Sequence, residues 1–209
     1  MPHHVTQRGN RRCIVFKDDV DRRSYLAMLM EYVQRHGLAI QAYCLMTNHV
    51  HFVAVPRQAY SLGLVFRDTN RAYAARFNYR QGESGHLWQG RFYSTVLDEG
   101  HFWAAVRYVE RNPVRAKMVQ HAWEYPWSSA GAHCGLRADP LLSGELEKLC
   151  PAADWREFLM DEDELAVKLL RQRTRTGRPC GDDSFLEQLE SRLGRLLRRQ
   201  KPGPKPKER

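Results

Sequence analysis

Residues 38–45 and 49–55 are two apolar, β-rich runs with almost nothing between them. A link as short as Thr47-Asn48 leaves room only for an antiparallel hairpin, because a parallel crossover needs a dozen residues or more. Any fold for this chain must contain that hairpin, with Pro56 at its end. The second run, Asn48-His49-Val50-His51-Phe52-Val53-Ala54-Val55, constrains more than topology. Side chains alternate along a strand, so His49 and His51 share one face while Val50 and Phe52 take the other.

The rest of the chain builds around this hairpin. Pro2 to Asn10 reads as a short strand running into a Gly-Asn turn. Asp18 and Asp19 open a helix to about His36, with Tyr25, Leu26, Leu29, Tyr32 and Val33 at helical spacing and Gly37 as its closing residue. A second helix fits 61–79, burying Leu62, Val65, Phe66, Thr69, Tyr73 and Phe77 and leaving Arg67, Arg71 and Arg76 largely off that face. Residues 87–97 read as a final strand that includes Trp88, and a third helix spans about 100–111 before Pro113 cuts it. The order strand–helix–strand, strand–helix–strand predicts an α+β fold: a ferredoxin-like antiparallel sheet with helices packed on one face. Beyond it come helical stretches near 154–172 and 183–199, separated by Thr174-Arg175-Thr176-Gly177-Arg178-Pro179. The expected organisation is a core over 1–135, a helical, basic extension over 136–200 and a disordered basic tail over 201–209.

Charge points to the partner. The net charge is +9, and residues 171–209 hold 12 Lys+Arg against 5 Asp+Glu, a net of +7, which leaves only +2 for the first 170. A near-neutral body with a basic arm favours an anionic partner, with nucleic acid the first candidate. The five cysteines (Cys13, Cys44, Cys134, Cys150, Cys180) form no Cys-x-x-Cys pair, which argues against a zinc ribbon or a disulfide framework. With no signal-peptide core and no apolar run of about 20 residues, the expectation is a cytoplasmic, nucleoid-associated protein without a membrane span.

Two neutral imidazoles on one strand face can offer two nitrogens to a divalent ion such as Mn²⁺, Mg²⁺ or Zn²⁺, and imidazole alone favours Mn²⁺ or Zn²⁺. The third helix buries Phe102, Ala105, Val106 and Val109. Tyr108 and Asn112 are four apart at the shoulder of that stripe. There Tyr108 can present a free hydroxyl at an edge of the sheet, and Asn112 can offer its amide oxygen to the same ion. The plainer alternative makes Tyr108 a boundary aromatic and Asn112 a helix-end residue set by Pro113.

Six motifs in order carry a resemblance. His4-Val5-Thr6-x-Arg8-Gly9-Asn10, Leu45-Met46-x-Asn48-His49, His49-Val50-His51, Leu87-Trp88-x-Gly90-Arg91, Tyr108-x-x-x-Asn112-Pro113-Val114-Arg115-Ala116 and Tyr125-Pro126-Trp127-Ser128-Ser129 together resemble the REP-associated tyrosine transposases. These are relatives of the single-tyrosine HUH, IS200-like transposases. The resemblance spans about residues 3–135, and the Gly177-Arg178-Pro179 segment and basic terminus are also similar. It implies a metal-dependent single-stranded DNA endonuclease and strand transferase of the HUH endonuclease fold. Tyr108 is the implied nucleophile, forming a 5′-phosphotyrosine and a free 3′-OH. Mg²⁺ or Mn²⁺ is the implied cofactor, held by His49, His51 and Asn112.

A phenol with an ordinary pKa of about 10 needs activation, and the sequence names no base. The implied substrate is hairpin DNA of the REP type. Arg8 and Asn10 match positions near the DNA; Arg67, Arg71, Arg91 and Arg115 are candidate phosphate contacts, and Trp88 a candidate base-stacking platform. Each arginine can equally be a solvated surface charge and Trp88 a core aromatic. Relatives usually carry a longer opening segment; a missing N-terminal piece or an alternative start would weaken this edge strand and its DNA contacts, without directly touching the chemistry at His49, His51 and Tyr108. A monomer is favoured, with a dimer as the alternative. The competing functional readings are a non-catalytic hairpin DNA-binding protein, an RNA-binding module and a zinc hydrolase that does not need Tyr108.

Overall fold

The structure, a computed structural model, describes residues 1–144, 146, 152–161 and 163–198. Strands β1 (His3–Arg8), β2 (Leu38–Met46), β3 (His49–Pro56) and β4 (Tyr93–Val96) form one antiparallel sheet in the order β2-β3-β1-β4. The hairpin is closed with Met46 opposite His49. β1 is an inner strand, not the edge expected of it, and is held by β3 on one side and β4 on the other.

Helices α1 (Asp19–His36) and α2 (Ser61–Gln81) cover one face, as the sequence predicts. Asp18 caps α1 by accepting from the Asp21 backbone N–H at 3.0 Å, and Gly37 ends it in the left-handed region at φ +67°. The core on this side joins Val5, Val50, Phe52 and Ala54 to Tyr25, Leu29, Val65, Phe66 and Tyr73. A bulge between Ile40 and Ala42 resets the alternation of β2. Ile40, Tyr43 and Leu45 therefore face α1 and α2, while Ala42, Cys44 and Met46 face the opposite side.

That opposite side is covered as well. The helices there are α3 (Glu99–Glu110), α4 (Asn112–Arg115), α5 (Ala130–His133), α6 (Ala152–Met160) and α7 (Glu164–Thr176), and α8 (Asp183–Leu193) follows them in the chain. Val53, Cys44 and Met46 pack there with Val106, Val109, Trp155, Leu159 and Leu170 in a second core. The chain beyond α7 also lines the β4 edge, where the Cys180 N–H donates to the Val96 carbonyl at 2.9 Å and Leu97 bridges Cys180. At the other edge, the Ser129 N–H donates to the Tyr43 carbonyl at 3.0 Å and the Leu45 N–H to the Trp127 carbonyl at 2.8 Å. Both sheet edges are thus blunted.

Several elements differ from expectation, among them the 183–199 helix, which stops at Leu193 with Gly194 at φ +62°. The 87–97 strand shrinks to Tyr93–Val96, because Trp88 turns into the first core with its Nε1 donating to the Asn70 carbonyl at 3.0 Å. The 154–172 helix is broken near Asp161, and Asp163 caps a new one, accepting from the N–H groups of Leu165 and Ala166. That helix, α7, runs through Thr174 to Thr176 and closes on Gly177 at φ +65°. Cys150 and the 201–209 arm lie outside the described residues.

Candidate active site

The sheet face that carries His49 and His51 opens into a cleft of about 650 Å³. β1 contributes His4, Thr6 and Arg8, α3 contributes Tyr108, the α3–α4 junction Asn112 and Arg115, and α7 contributes Arg171, Thr174 and Arg175. Helix α3 starts at Asp98, whose carboxylate accepts from the His101 N–H at 2.8 Å, and breaks at Arg111 ahead of Pro113. The break leaves Tyr108 and Asn112 on the same cleft wall.

Tyr108 stands edge-on to both buried histidines, with ring centroids 5.6 Å from His4 and 5.5 Å from His51. Its side is 5 % exposed, and its hydroxyl is not free as the sequence suggested: Arg171 donates to it through Nε at 3.3 Å. The Arg115 guanidinium lies 4.2 Å from the Tyr108 ring centroid and also donates to the Tyr108 carbonyl.

The histidines are held in a defined orientation. His49 bonds Asn48 Oδ1 through Nδ1 at 2.6 Å, and His51 bonds His4 Nε2 through Nδ1 at 3.0 Å. In each ring Nδ1 is thus engaged and Nε2 is the nitrogen that could serve a ligand, and the two centroids are 5.0 Å apart. Burial, helped by Arg8, lowers the His49 pKa to about 4. Burial, with His49, His4, Arg115 and Arg8 adding to it, pushes His51 well below the usual histidine value. Both rings are neutral at pH 7, the state a metal requires.

Among the described residues no group of three His, Cys, Asp or Glu side chains gathers to hold an ion. The cleft residues whose chemistry could serve a divalent ion are His49 and His51, through their imidazoles, and Asn112, through its amide oxygen. That set suits Mn²⁺ and Zn²⁺ better than Mg²⁺. Asn112 donates its Nδ2 to the Val109 carbonyl at 3.2 Å, so its oxygen is the atom with ligating chemistry.

Five arginines line the cleft (Arg8, Arg12, Arg115, Arg171, Arg175), and none of its described lining residues is acidic. Such a wall attracts phosphate oxygens. The other sequence candidates fall elsewhere. Arg67 and Arg71 sit exposed on α2, the layer across the sheet, and Arg67 pairs with Asp68 at 2.8 Å. Trp88 is a core aromatic, 9 % exposed with its N–H committed, and offers no face to a base. Asn10 is in the turn after β1, its N–H bonded to the Leu87 carbonyl, and Arg91 is exposed in the loop before β4.

Sequence reasoning missed His4, Thr174, Arg171 and Arg175 as cleft residues. The period-2 alternation His4, Thr6, Arg8 was a signal for the first. Gly177 as a helix-closing residue was a signal for the others.

The architecture is α+β with a basic cleft at one end of an antiparallel sheet. A family model described as transposase, IS200-like, matches residues 1–112, more than half of the chain, and the protein belongs to that family. The fold is similar to a solved REP-associated tyrosine transposase bound to a REP hairpin, at TM-score 0.52 and 15 % identity, covering 68 % of this chain and 90 % of that one. A candidate transposase from Deinococcus radiodurans R1 aligns at TM-score 0.39 and 17 % identity, over 57 % of this chain and 86 % of that one. No curated protein matches the sequence. Among the described residues no helix is long and apolar enough to cross a membrane.

Proposed function

We propose that this transposase-family protein is an HUH-type, metal-dependent endonuclease and strand transferase for single-stranded DNA beside REP-like hairpins. The observation that carries the reading is Tyr108 set against His51 at 5.5 Å in one cleft rimmed by arginines. The Tyr108 oxygen attacks the scissile phosphorus, the bond from phosphorus to the 3′-oxygen breaks, and a 5′-phosphotyrosine forms. The phenol loses its proton and the departing 3′-oxygen gains one, so the step balances, and a second 3′-OH reverses it to join strands. Arg171 holds the oxygen on which charge develops, and Arg8, Arg115 and Arg175 hold the phosphodiester. His49, His51 and Asn112 would hold the ion, Mn²⁺ or Mg²⁺, which when bound polarises the phosphate.

Tyr108 stands 5.5 Å from His51 of its own chain, so in this reading the cleft needs no residue from a second copy and the protein acts as a monomer. In this reading the 1–135 core carries the nucleophile and the histidines, and the 136–200 extension closes the cleft through α7.

The test is a denaturing gel of the protein with labelled hairpin DNA and Mn²⁺. A metal-dependent covalent adduct should form with the wild type and vanish in Tyr108→Phe and His49→Ala. The burial of Tyr108, 5 % exposed beneath Arg171, favours a second reading, a non-catalytic binder of hairpin DNA or RNA. Tight binding without any adduct would select it.

A further inference from the structure

One hydrogen-bond chain behind the histidine pair is not explained by nucleophile, ligands or phosphate contacts. Thr174 on α7 donates its hydroxyl hydrogen to the Leu170 carbonyl at 2.8 Å, one helical turn back. With the hydroxyl hydrogen on that carbonyl, Thr174 Oγ1 faces His4 Nδ1, 2.7 Å away, as an acceptor. In this arrangement His4 carries its hydrogen on Nδ1 and a lone pair on Nε2. That lone pair meets His51 Nδ1 at 3.0 Å, which must in turn carry the hydrogen. The remaining nitrogen of His51, Nε2, is left with its lone pair on the cleft side. The two rings lie parallel, 6° apart with centroids at 5.2 Å, and His4 is 1 % exposed, so neither can trade this partner for solvent.

We infer that Thr174 and His4 are positioning residues that set the His51 tautomer so that Nε2 is available to a divalent ion. The inference rests on the metal reading of the His49–His51 pair given above and deepens it. Its structural consequence is specific. Thr174 lies beyond residue 112, where the family match ends, so the helical extension takes part in preparing the ion site rather than only covering the sheet. The logic has a direction: the Leu170 carbonyl fixes Thr174, Thr174 fixes His4, and His4 fixes His51. Removing the Thr174 acceptor releases His4 to carry its hydrogen on Nε2. His51 Nδ1 must then accept, and its own hydrogen moves to Nε2, where it blocks ligation.

The experiment uses the full chain with ¹⁵N-labelled histidine. Long-range ¹H–¹⁵N spectra of the metal-free protein read the tautomers, and Mn²⁺ affinity is read separately by loss of the free-ion EPR signal. In the wild type both His4 and His51 should bear hydrogen on Nδ1. Thr174→Val keeps the side-chain shape without the hydroxyl; it should move the hydrogen to Nε2 on both rings and weaken Mn²⁺ binding by roughly 10–100-fold. Thr174→Ser should restore wild-type tautomers and affinity. His4→Phe keeps an aromatic ring at this position without the nitrogens and should weaken Mn²⁺ binding similarly, which keeps the test alive if Thr174→Val fails to fold.

A wild-type His51 with hydrogen on Nε2 overturns the inference. So does a folded Thr174→Val protein with unmoved tautomers and Mn²⁺ affinity within twofold of wild type. A wild type that takes up no Mn²⁺ overturns the metal reading, and this positioning role with it. Because the tautomers are read without metal, the two failures are distinguishable.

Discussion

Replacing Glu110 by Gln should destabilise the protein by about 2–4 kcal/mol, although the two side chains have nearly the same shape. Glu110 is fully buried on α3, two residues from Tyr108 and two from Asn112. One carboxylate oxygen accepts from Ser129 Oγ and from His133 Nδ1 at 2.7 Å, and the other accepts from Trp155 Nε1 at 2.8 Å. An indole N–H can only donate, so Gln must point its oxygen at Trp155 and its NH₂ at Ser129 and His133. Ser129 must then turn its hydrogen to the Tyr43 carbonyl, a longer contact of 3.3 Å, and His133 must change tautomer. Three bonds to a carboxylate, each worth about 1.5–3 kcal/mol, become neutral bonds worth about 1 kcal/mol, a loss of about 1.5–6 kcal/mol whose middle range is the estimate. For a chain of this size it corresponds to a fall in melting temperature of roughly 4–16 °C. Thermal unfolding followed by circular dichroism measures it. The mechanism also predicts a coupling. With Trp155→Phe in place the amide is free to reverse, so Glu110→Gln should cost at least about 1 kcal/mol less in that background. A melting temperature within 2 °C of wild type on the order of experimental scatter, or no coupling between the two substitutions, would refute the argument.

Other perturbations separate surface from site. Trp88→Ala should cost about 3–5 kcal/mol, read by urea denaturation, while the folded fraction keeps its hairpin-DNA affinity, because the ring is core and not a base platform. Arg171→Ala should lower adduct formation about tenfold or more, by removing the donor at the Tyr108 oxygen, and should reduce the salt slope of DNA binding by about one. Arg67→Ala, across the sheet and paired with Asp68, should leave that slope unchanged; a matching loss would move the DNA path onto α2. Gly177→Ala forces a Cβ into a φ of +65° and should cost about 1–2 kcal/mol, with hydrogen exchange rising first at the end of α7.

Local chemistry in the sequence was informative wherever the structure is local. The hairpin followed from a two-residue link, and α1 followed from Asp18 at one end and Gly37 at the other. The stretch around Trp88 misled because aromatic, apolar residues read as strand, whereas the indole is drawn beneath α2 by the Asn70 carbonyl, a partner 18 residues earlier. The boundary at Thr174 misled for another reason. Two threonines and an arginine before a Gly-x-Pro look like a separator, but Thr174 bonds back to Leu170 and sits 4 % exposed against β1, so packing overrides its weak helix propensity.

The cleft itself mixes both kinds of information. His49 and His51 are adjacent on a strand, and Tyr108 and Asn112 lie one helical turn apart, so short-range periodicity brought each pair into view. What joins the pairs is long-range. His4 meets Thr174 across 170 residues, and Arg171 meets Tyr108 across 63. No periodicity encodes such contacts; they exist because α7 packs on β1, β4 and α3 at once, over a face of the sheet that α1 and α2 leave open. The same packing explains why a chain whose family match stops at residue 112 continues with helices beyond it. Val53, Cys44 and Met46 are apolar on the histidine side of the sheet, and without Trp155, Leu159 and Leu170 above them that face would meet water. Covering an apolar face and walling the cleft with Arg171 and Arg175 are thus one structural act, since the buried and exposed sides of α7 are fixed relative to each other by the helix.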